Sequence, residues 1–202
     1  AKNREEIVRR VKREAGLTLE VVSGREEARL ICLGVLAGKA QSHRSLCIDI
    51  GGGSTEVISA QGELPKDLWS LDIGAVRLTE LFDVRGEVPK RQLTLMRSFV
   101  RELMEERIPQ GLAGLPKSAL GSSGTIGAIV AFARSEGVGH ATLLEVSRTV
   151  EALADMDLEK RRKRFDPRRA DSPCYHCLYG HGSDTELTCS EAGVVGPLVG
   201  LV

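Results

Sequence analysis

Aromatic side chains are scarce in this 202-residue chain, at 3%. That excludes the stacking platforms on which single-stranded nucleic acid is bound. Neither sign of charge is in excess, because 28 basic side chains balance 28 acidic ones. No overall field therefore draws the chain to nucleic acid or to an anionic membrane surface. No apolar run approaches the ~20 residues of a membrane span, and no signal-peptide pattern is read. The chain opens with Ala1 directly into a helical pattern, which reads as a fragment or an excised region. Cysteine is sparse and odd in number, at five. Cys32 and Cys47 lie in apolar runs and read as small buried hydrophobes, as expected in a reducing compartment.

What the chain does have is Asp49-Ile50-Gly51-Gly52-Gly53-Ser54-Thr55-Glu56. An apolar run, Leu46-Cys47-Ile48, enters it, and a β-rich run, Val57-Ile58-Ser59, leaves it. Consecutive glycines let the backbone approach a ligand and take positive φ without steric cost. Their successive N–H groups can line an anion site, and Ser54 and Thr55 add hydroxyls. If residues 51–54 turn a hairpin, Ile50 faces Thr55 and Asp49 faces Glu56. Like charges directly opposite are destabilising. A hard cation such as Mg²⁺ relieves that repulsion and also binds phosphate oxygens. The stretch reads as a phosphate–metal cradle; the plain alternative is a Gly-rich hairpin with surface acids. It lacks the Gly-Lys-Ser/Thr ending of a P-loop, and a strand rather than a helix follows, so the dinucleotide fingerprint also fails.

Around it, periodicity predicts a helix over Asn3–Ala15, stopped by Gly16. A strand is expected over Leu17–Val22. Ser23 and Glu26 fit a capping box at the next helix, which runs to about Ala37 and leaves Glu27 as a spare acid in its first turn. Glu27 either complements the helix dipole or does chemistry. Residues 38–44 read as a linker. A third strand is expected over Asp67–Gly74, with Leu68, Ser70 and Asp72 on one face and Trp69, Leu71 and Ile73 on the other. A short helix begins at Gly74 and carries Arg77, which could reach a phosphate but reads more simply as an exposed arginine. Pro89 opens a long amphipathic helix. A strand over Leu115–Leu120 leads into Gly121-Ser122-Ser123-Gly124-Thr125, a hydroxyl-rich turn at a helix start and a second candidate anion site. A last helix is read over Leu143–Ala154. Residues 160–164 are a basic run, read as a solvated face. Cys174, His176, Cys177 and His181 lie in an aperiodic segment, 172–188. No second spaced cysteine pair accompanies Cys174 and Cys177, so structural zinc is not the reading there.

Three segments, Ser23–Leu30, Asp49–Glu56 and Gly121–Ile126, taken together in this order and spacing, resemble the exopolyphosphatase / guanosine pentaphosphate phosphatase family. Arg168-Arg169-Ala170-Asp171 and Ser190-Glu191-Ala192-Gly193 resemble its later signatures. The resemblance implies an α/β, ribonuclease H-like lobe of the actin/Hsp70 type, a mixed sheet flanked by helices, plus the remnant of a second such lobe. Residues 1–38 would be the C-terminal remnant of the first domain and 39–202 the second, with 172–188 atypical. The family's opening phosphate loop, of Asp-x-Gly-Ser-Asn-Ser type, is not found here.

By the same resemblance the activity is release of terminal orthophosphate from polyphosphate or guanosine pentaphosphate, with Mg²⁺, in the cytoplasm. Glu27 would be the general base, and Asp49 and Glu56 the acids at the metal. Gly51, Gly52, Gly53, Ser54 and Thr55 would hold phosphate, with Gly121, Ser122, Ser123, Gly124 and Thr125 as a further cleft turn. The implied partners are polyphosphate or guanosine penta- or tetraphosphate, without membrane or nucleic acid, and a homodimer is left open. Two rivals stand beside this: a kinase of the same superfold, and a module that binds nucleotide or polyphosphate without turnover, or an inactive fragment.

Overall fold

A computed structural model describes residues 3–37, 43–84, 87–109, 119–133, 140–157 and 159–160. Helix α1 (Arg4–Ala15) ends at Gly16, whose φ of 71° lets its N–H reach the Lys12 carbonyl. Asn3 stands at the N-cap, but its side chain makes no capping bond. Residues 17–22 form no strand. Their alternation is real, yet Leu17, Leu19 and Val21 are 62%, 41% and 48% exposed. A strand needs a neighbour to take its backbone groups, and the described sheet provides none at this place.

Helix α2 (Gly24–Leu36) follows, then strands β1 (Arg44–Ile50), β2 (Thr55–Gln61) and β3 (Leu64–Leu71). The described sheet has four strands in the order β3-β2-β1-β4, with β4 (Ala119–Ser122) parallel to β1 and the other neighbours antiparallel. β3 begins three residues before the expected Asp67 and ends at Leu71, short of Gly74. Pro65 hid its start, since proline cannot donate to a ladder. It is accommodated on this edge strand opposite Ala60, where the register shifts between Ser59 and Ala60.

Each sheet face is covered by a helix. On one, Ala28, Cys32 and Leu36, spaced four apart along α2, pack on Cys47, Ile58 and Ala60. All six are fully buried. On the other, Phe99, Val100 and Leu103 of α4 (Lys90–Arg107) pack on Val57, Leu71 and Ile73. Helices α3 (Ala75–Leu81), α5 (Ser123–Ala133) and α6 (Leu143–Asp155) complete the described elements. Thr142 and Glu145 close a full capping box at the start of α6. No described helix is long and apolar enough to cross a membrane. The basic run at 161–164 and the segment holding Cys174, His176, Cys177 and His181 lie outside the described residues.

Candidate active site

The hairpin between β1 and β2 has the register expected from its residues. Asp49 is paired with Glu56, and Ile50 with Thr55. The Gly51 N–H closes the turn on the Ser54 carbonyl at 3.0 Å. The glycines serve close approach rather than unusual dihedrals, for none of Gly51, Gly52 and Gly53 has positive φ. A Cβ on Gly52 would stand 3.3 Å from Val76, whereas one on Gly53 would meet open space.

The loop is clamped from behind. The Gly51 carbonyl accepts from Ala75, and the Gly52 carbonyl accepts from Val76 and Arg77 at 2.9 and 3.1 Å. The first N–H groups of α3 are thereby satisfied by the loop itself, as helix ends require. Gly74 makes this fit possible, since a Cβ there would lie 2.5 Å from the Gly52 carbonyl group. The loop's own N–H groups at Gly52 and Gly53 make no hydrogen bond among the described residues and remain free to meet an anion.

The hydroxyls divide their work. Thr55 donates to the Ile73 carbonyl at 2.6 Å, so its proton anchors the loop to the segment that follows β3. Ser54 is hydrogen-bonded to the Glu56 carboxylate. Ser70 donates to Glu56 Oε1 at 2.8 Å. Glu56 is almost fully buried, at 1% exposure. Burial raises its pKa first of all, with Asp49 adding repulsion, against the lowering effect of the Ser70 and Ser54 bonds.

Glu27 arrives from above. Ser23 caps α2 by accepting the Glu26 N–H at 3.2 Å. The reciprocal half of the expected capping box is not formed, because Arg29 takes the Glu26 carboxylate in two bonds of 2.8 and 2.6 Å. Gly24 lets the helix start settle on β3; a Cβ there would stand 2.6 Å from Ser70 Oγ. This close seat brings Glu27 within electrostatic reach of Glu56 and Asp49. Burial, then Glu56, then Asp49 push the Glu27 carboxyl up to about 6. Two carboxyls in one site with raised pKa are a pattern of functional sites, beyond what a helix-dipole residue needs.

The second expected turn is placed differently. Gly121 and Ser122 are the end of β4, with Ser122 beside Asp49 and Gly121 beside Ile48. A Cβ on Gly121 would collide with Ile126, so packing alone demands this glycine. Ser123 opens α5 at a φ of 80°, a value rare for a residue with a side chain. Its hydroxyl donates to the Ile50 carbonyl at 2.8 Å and accepts the Ile50 N–H at 3.3 Å. The β4–α5 junction is thus tied to the residue before the glycine loop. Gly124 and Thr125 lie in the first turn of α5.

Among the described residues no group of three or more His, Cys, Asp or Glu is arranged to hold a metal by itself. The donor set still suits Mg²⁺. That ion takes one or two carboxylates and completes its shell with water and substrate phosphate, and Asp49 and Glu56 are adjacent-strand partners beside free loop amides. Sequence reasoning put Ser70 on the correct face but missed its hold on Glu56. An apolar groove of about 760 Å³, lined by Leu78, Leu93, Met96, Val100, Leu153 and Ala154, belongs to α3, α4 and α6 rather than to the strands that carry these acids.

Comparison with known proteins bears on this geometry. The Ppx/GppA phosphatase family matches residues 1–172. Exopolyphosphatase 1 from Mycobacterium tuberculosis and its counterpart from Mycobacterium bovis are 36% identical over 127 residues, covering 62% of this chain and 37% of theirs. The match therefore spans well under half the length of these curated relatives. A solved exopolyphosphatase-like protein superposes with a TM-score of 0.72 at 27% identity, over 81% of this chain and 55% of that one. A Ppx/GppA member from Aquifex aeolicus gives a TM-score of 0.64 at 29% identity, over 82% and 55%. These neighbours carry the actin-like fold of that family.

Proposed function

Because the chain belongs to the Ppx/GppA phosphatase family, we propose that it forms one side of a phosphoanhydride hydrolase site. In this reading the site releases terminal orthophosphate from inorganic polyphosphate or from guanosine pentaphosphate. The observation that carries it is the meeting of Glu27, Glu56 and Asp49 at the glycine hairpin, with Glu27 pushed up to about 6. The relatives' name, exopolyphosphatase, favours the polyphosphate substrate.

Phosphoryl transfer needs positioning and charge neutralisation more than covalent chemistry. The free amides of Gly52 and Gly53 would receive non-bridging oxygens of the terminal phosphate. Glu27 would accept a proton from water as the water oxygen bonds to the terminal phosphorus. The bridging P–O bond breaks, and the shortened chain leaves with that oxygen. Asp49 and Glu56 would hold Mg²⁺, which supplies neutralisation of phosphate charge. Ser70 and Ser54 keep Glu56 oriented, and Ser123 fixes Ile50 and with it the entry to the loop.

The test is orthophosphate release by the intact protein in Mg²⁺, with polyphosphate and guanosine pentaphosphate as separate substrates. Release from polyphosphate with water as sole acceptor is the expected result. With ATP supplied instead as phosphoryl donor, ADP formation that requires a sugar or acid co-substrate would replace this reading with a kinase. Tight guanosine tetraphosphate binding without release from either substrate would replace it with a binding module.

A further inference from the structure

We propose that Arg77 is a positioning residue for the phosphate chain, and that Asp72 parks its guanidinium at the rim of the site until substrate arrives. The inference rests on the hydrolase reading above and adds a residue to it. The juxtaposition is built by the backbone. The Arg77 N–H is bonded to the Gly52 carbonyl at 3.1 Å, in the same clamp as Ala75 and Val76. Gly74, the residue before α3, permits no Cβ. The root of Arg77 is therefore fixed against the glycine loop. Among the described residues hydrogen-bonded to that loop, Arg77 is the basic one.

Its side chain is aimed by Asp72, with Arg77 Nη1 3.2 Å from Asp72 Oδ1. Leu71 and Ile73, on either side of Asp72, are buried together in the α4-side core. Asp72 follows the end of β3, where the Ile73 N–H bonds back to the Leu71 carbonyl at 2.7 Å, and its side chain is exposed. The cation is therefore solvent-exposed, on a long side chain whose backbone is bonded to the glycine loop. Arg29, by contrast, is held by Glu26 through both carboxylate oxygens.

The charge balance suits a further cation there, beside the Mg²⁺ proposed for Asp49 and Glu56. Three carboxylates already crowd the site, and the substrate is a polyanion. The pair with Asp72 is exposed, at 52% and 86%, and exposed pairs are worth only about 0–1 kcal/mol. A phosphate can displace Asp72 at little cost. It would gain a charge-assisted and bidentate contact from the planar guanidinium, the stronger class of hydrogen bond.

The experiment compares Arg77→Ala, Arg77→Lys and Asp72→Asn in the intact protein. Orthophosphate release from polyphosphate is read as separate KM and kcat values, beside calorimetric binding of inorganic tripolyphosphate. Arg77→Ala should raise KM and weaken tripolyphosphate binding roughly tenfold or more, while kcat changes by about twofold at most. Arg77→Lys should recover part of the loss, since lysine supplies the charge without the fork. Asp72→Asn should leave KM at or below its wild-type value. Unchanged KM and binding in Arg77→Ala would overturn the proposal. So would an equal rise in KM for Asp72→Asn, which would make the pair merely structural. If wild-type protein released no phosphate but bound tripolyphosphate through Arg77, the hydrolase reading would fail and the role of Arg77 would stand.

Discussion

Glu27 and Glu26 are neighbours with opposite environments, and the difference decides what each can do. Glu26 is exposed toward Arg29, whose hydrogen bonds lower its pKa. Glu27 faces the sheet, where burial and the charges of Glu56 and Asp49 push it up to about 6. A group with a folded pKa above its unfolded value of 4.5 binds its proton more tightly when folded. Its stabilising contribution is present below about pH 4.5 and is lost as pH rises through about 6. Glu56, also raised, acts in the same direction. Metal-free wild-type protein should therefore lose thermal stability between about pH 4.5 and pH 7. Glu27→Gln should flatten part of that loss and melt higher than wild type at pH 8 under chelation. A parallel pH dependence of melting in both proteins would show that neither burial nor the other two acids raise Glu27. This is a stability–function conflict of the kind found at sites that hold charge for chemistry.

At the scale of elements, the site depends on how closely backbones approach. Two contacts set this, Gly24 on Ser70 and Gly74 on Gly52. In Gly24→Ala the neighbour is a serine side chain that can turn aside. In Gly74→Ala the neighbour is backbone, and the loop or α3 must move. Gly74→Ala should cost about 1–3 kcal/mol in urea unfolding, the usual range for overpacking, and should abolish phosphate release. Gly24→Ala should cost less, with Ser70 losing its bond to Glu56. Equal costs would mean that the α3 clamp is looser than the geometry has it.

The same scale explains what was legible in the residues. The hairpin was readable to the residue, because a two-residue alternation leaves only one register that pairs Asp49 with Glu56. The Ser23 cap was readable too, since it depends on local sequence alone. The fate of Glu26 was not: Arg29 competes for its carboxylate from the next turn. Nor was the end of β4, where Gly121 and Ser122 resemble a turn but pair with Ile48 and Asp49 across 73 residues of chain. Leu17–Val22 misled for the converse reason. Its pattern is that of a strand, but a pattern cannot supply the neighbouring strand.

For the whole molecule, one sheet carries two unlike faces. The α4 side is closed by packing of Phe99, Val100 and Leu103. The α2 side is apolar at Cys32, Cys47 and Ile58 and becomes acidic toward the loop, at Glu56 and Asp49. The acids thus rest on a rigid floor, and burying a carboxylate such as Glu56 is tolerated because two hydroxyls bind it. The glycine loop and the acids meet at one end of this sheet from α2, β1 and β2, with α3 clamped on the loop from behind. That arrangement, together with family membership, is the basis for the phosphate chemistry proposed above.

The measurement that tests this assignment most directly is Glu27→Gln in the intact protein, read as turnover beside tripolyphosphate binding. The account predicts that kcat for phosphate release falls about 10²–10⁴-fold, the usual contribution of a positioned general base. Tripolyphosphate binding should hold or tighten, because a negative charge has been removed from the site. Undiminished turnover in Glu27→Gln would contradict the account, and so would a loss of activity matched by an equal loss of binding.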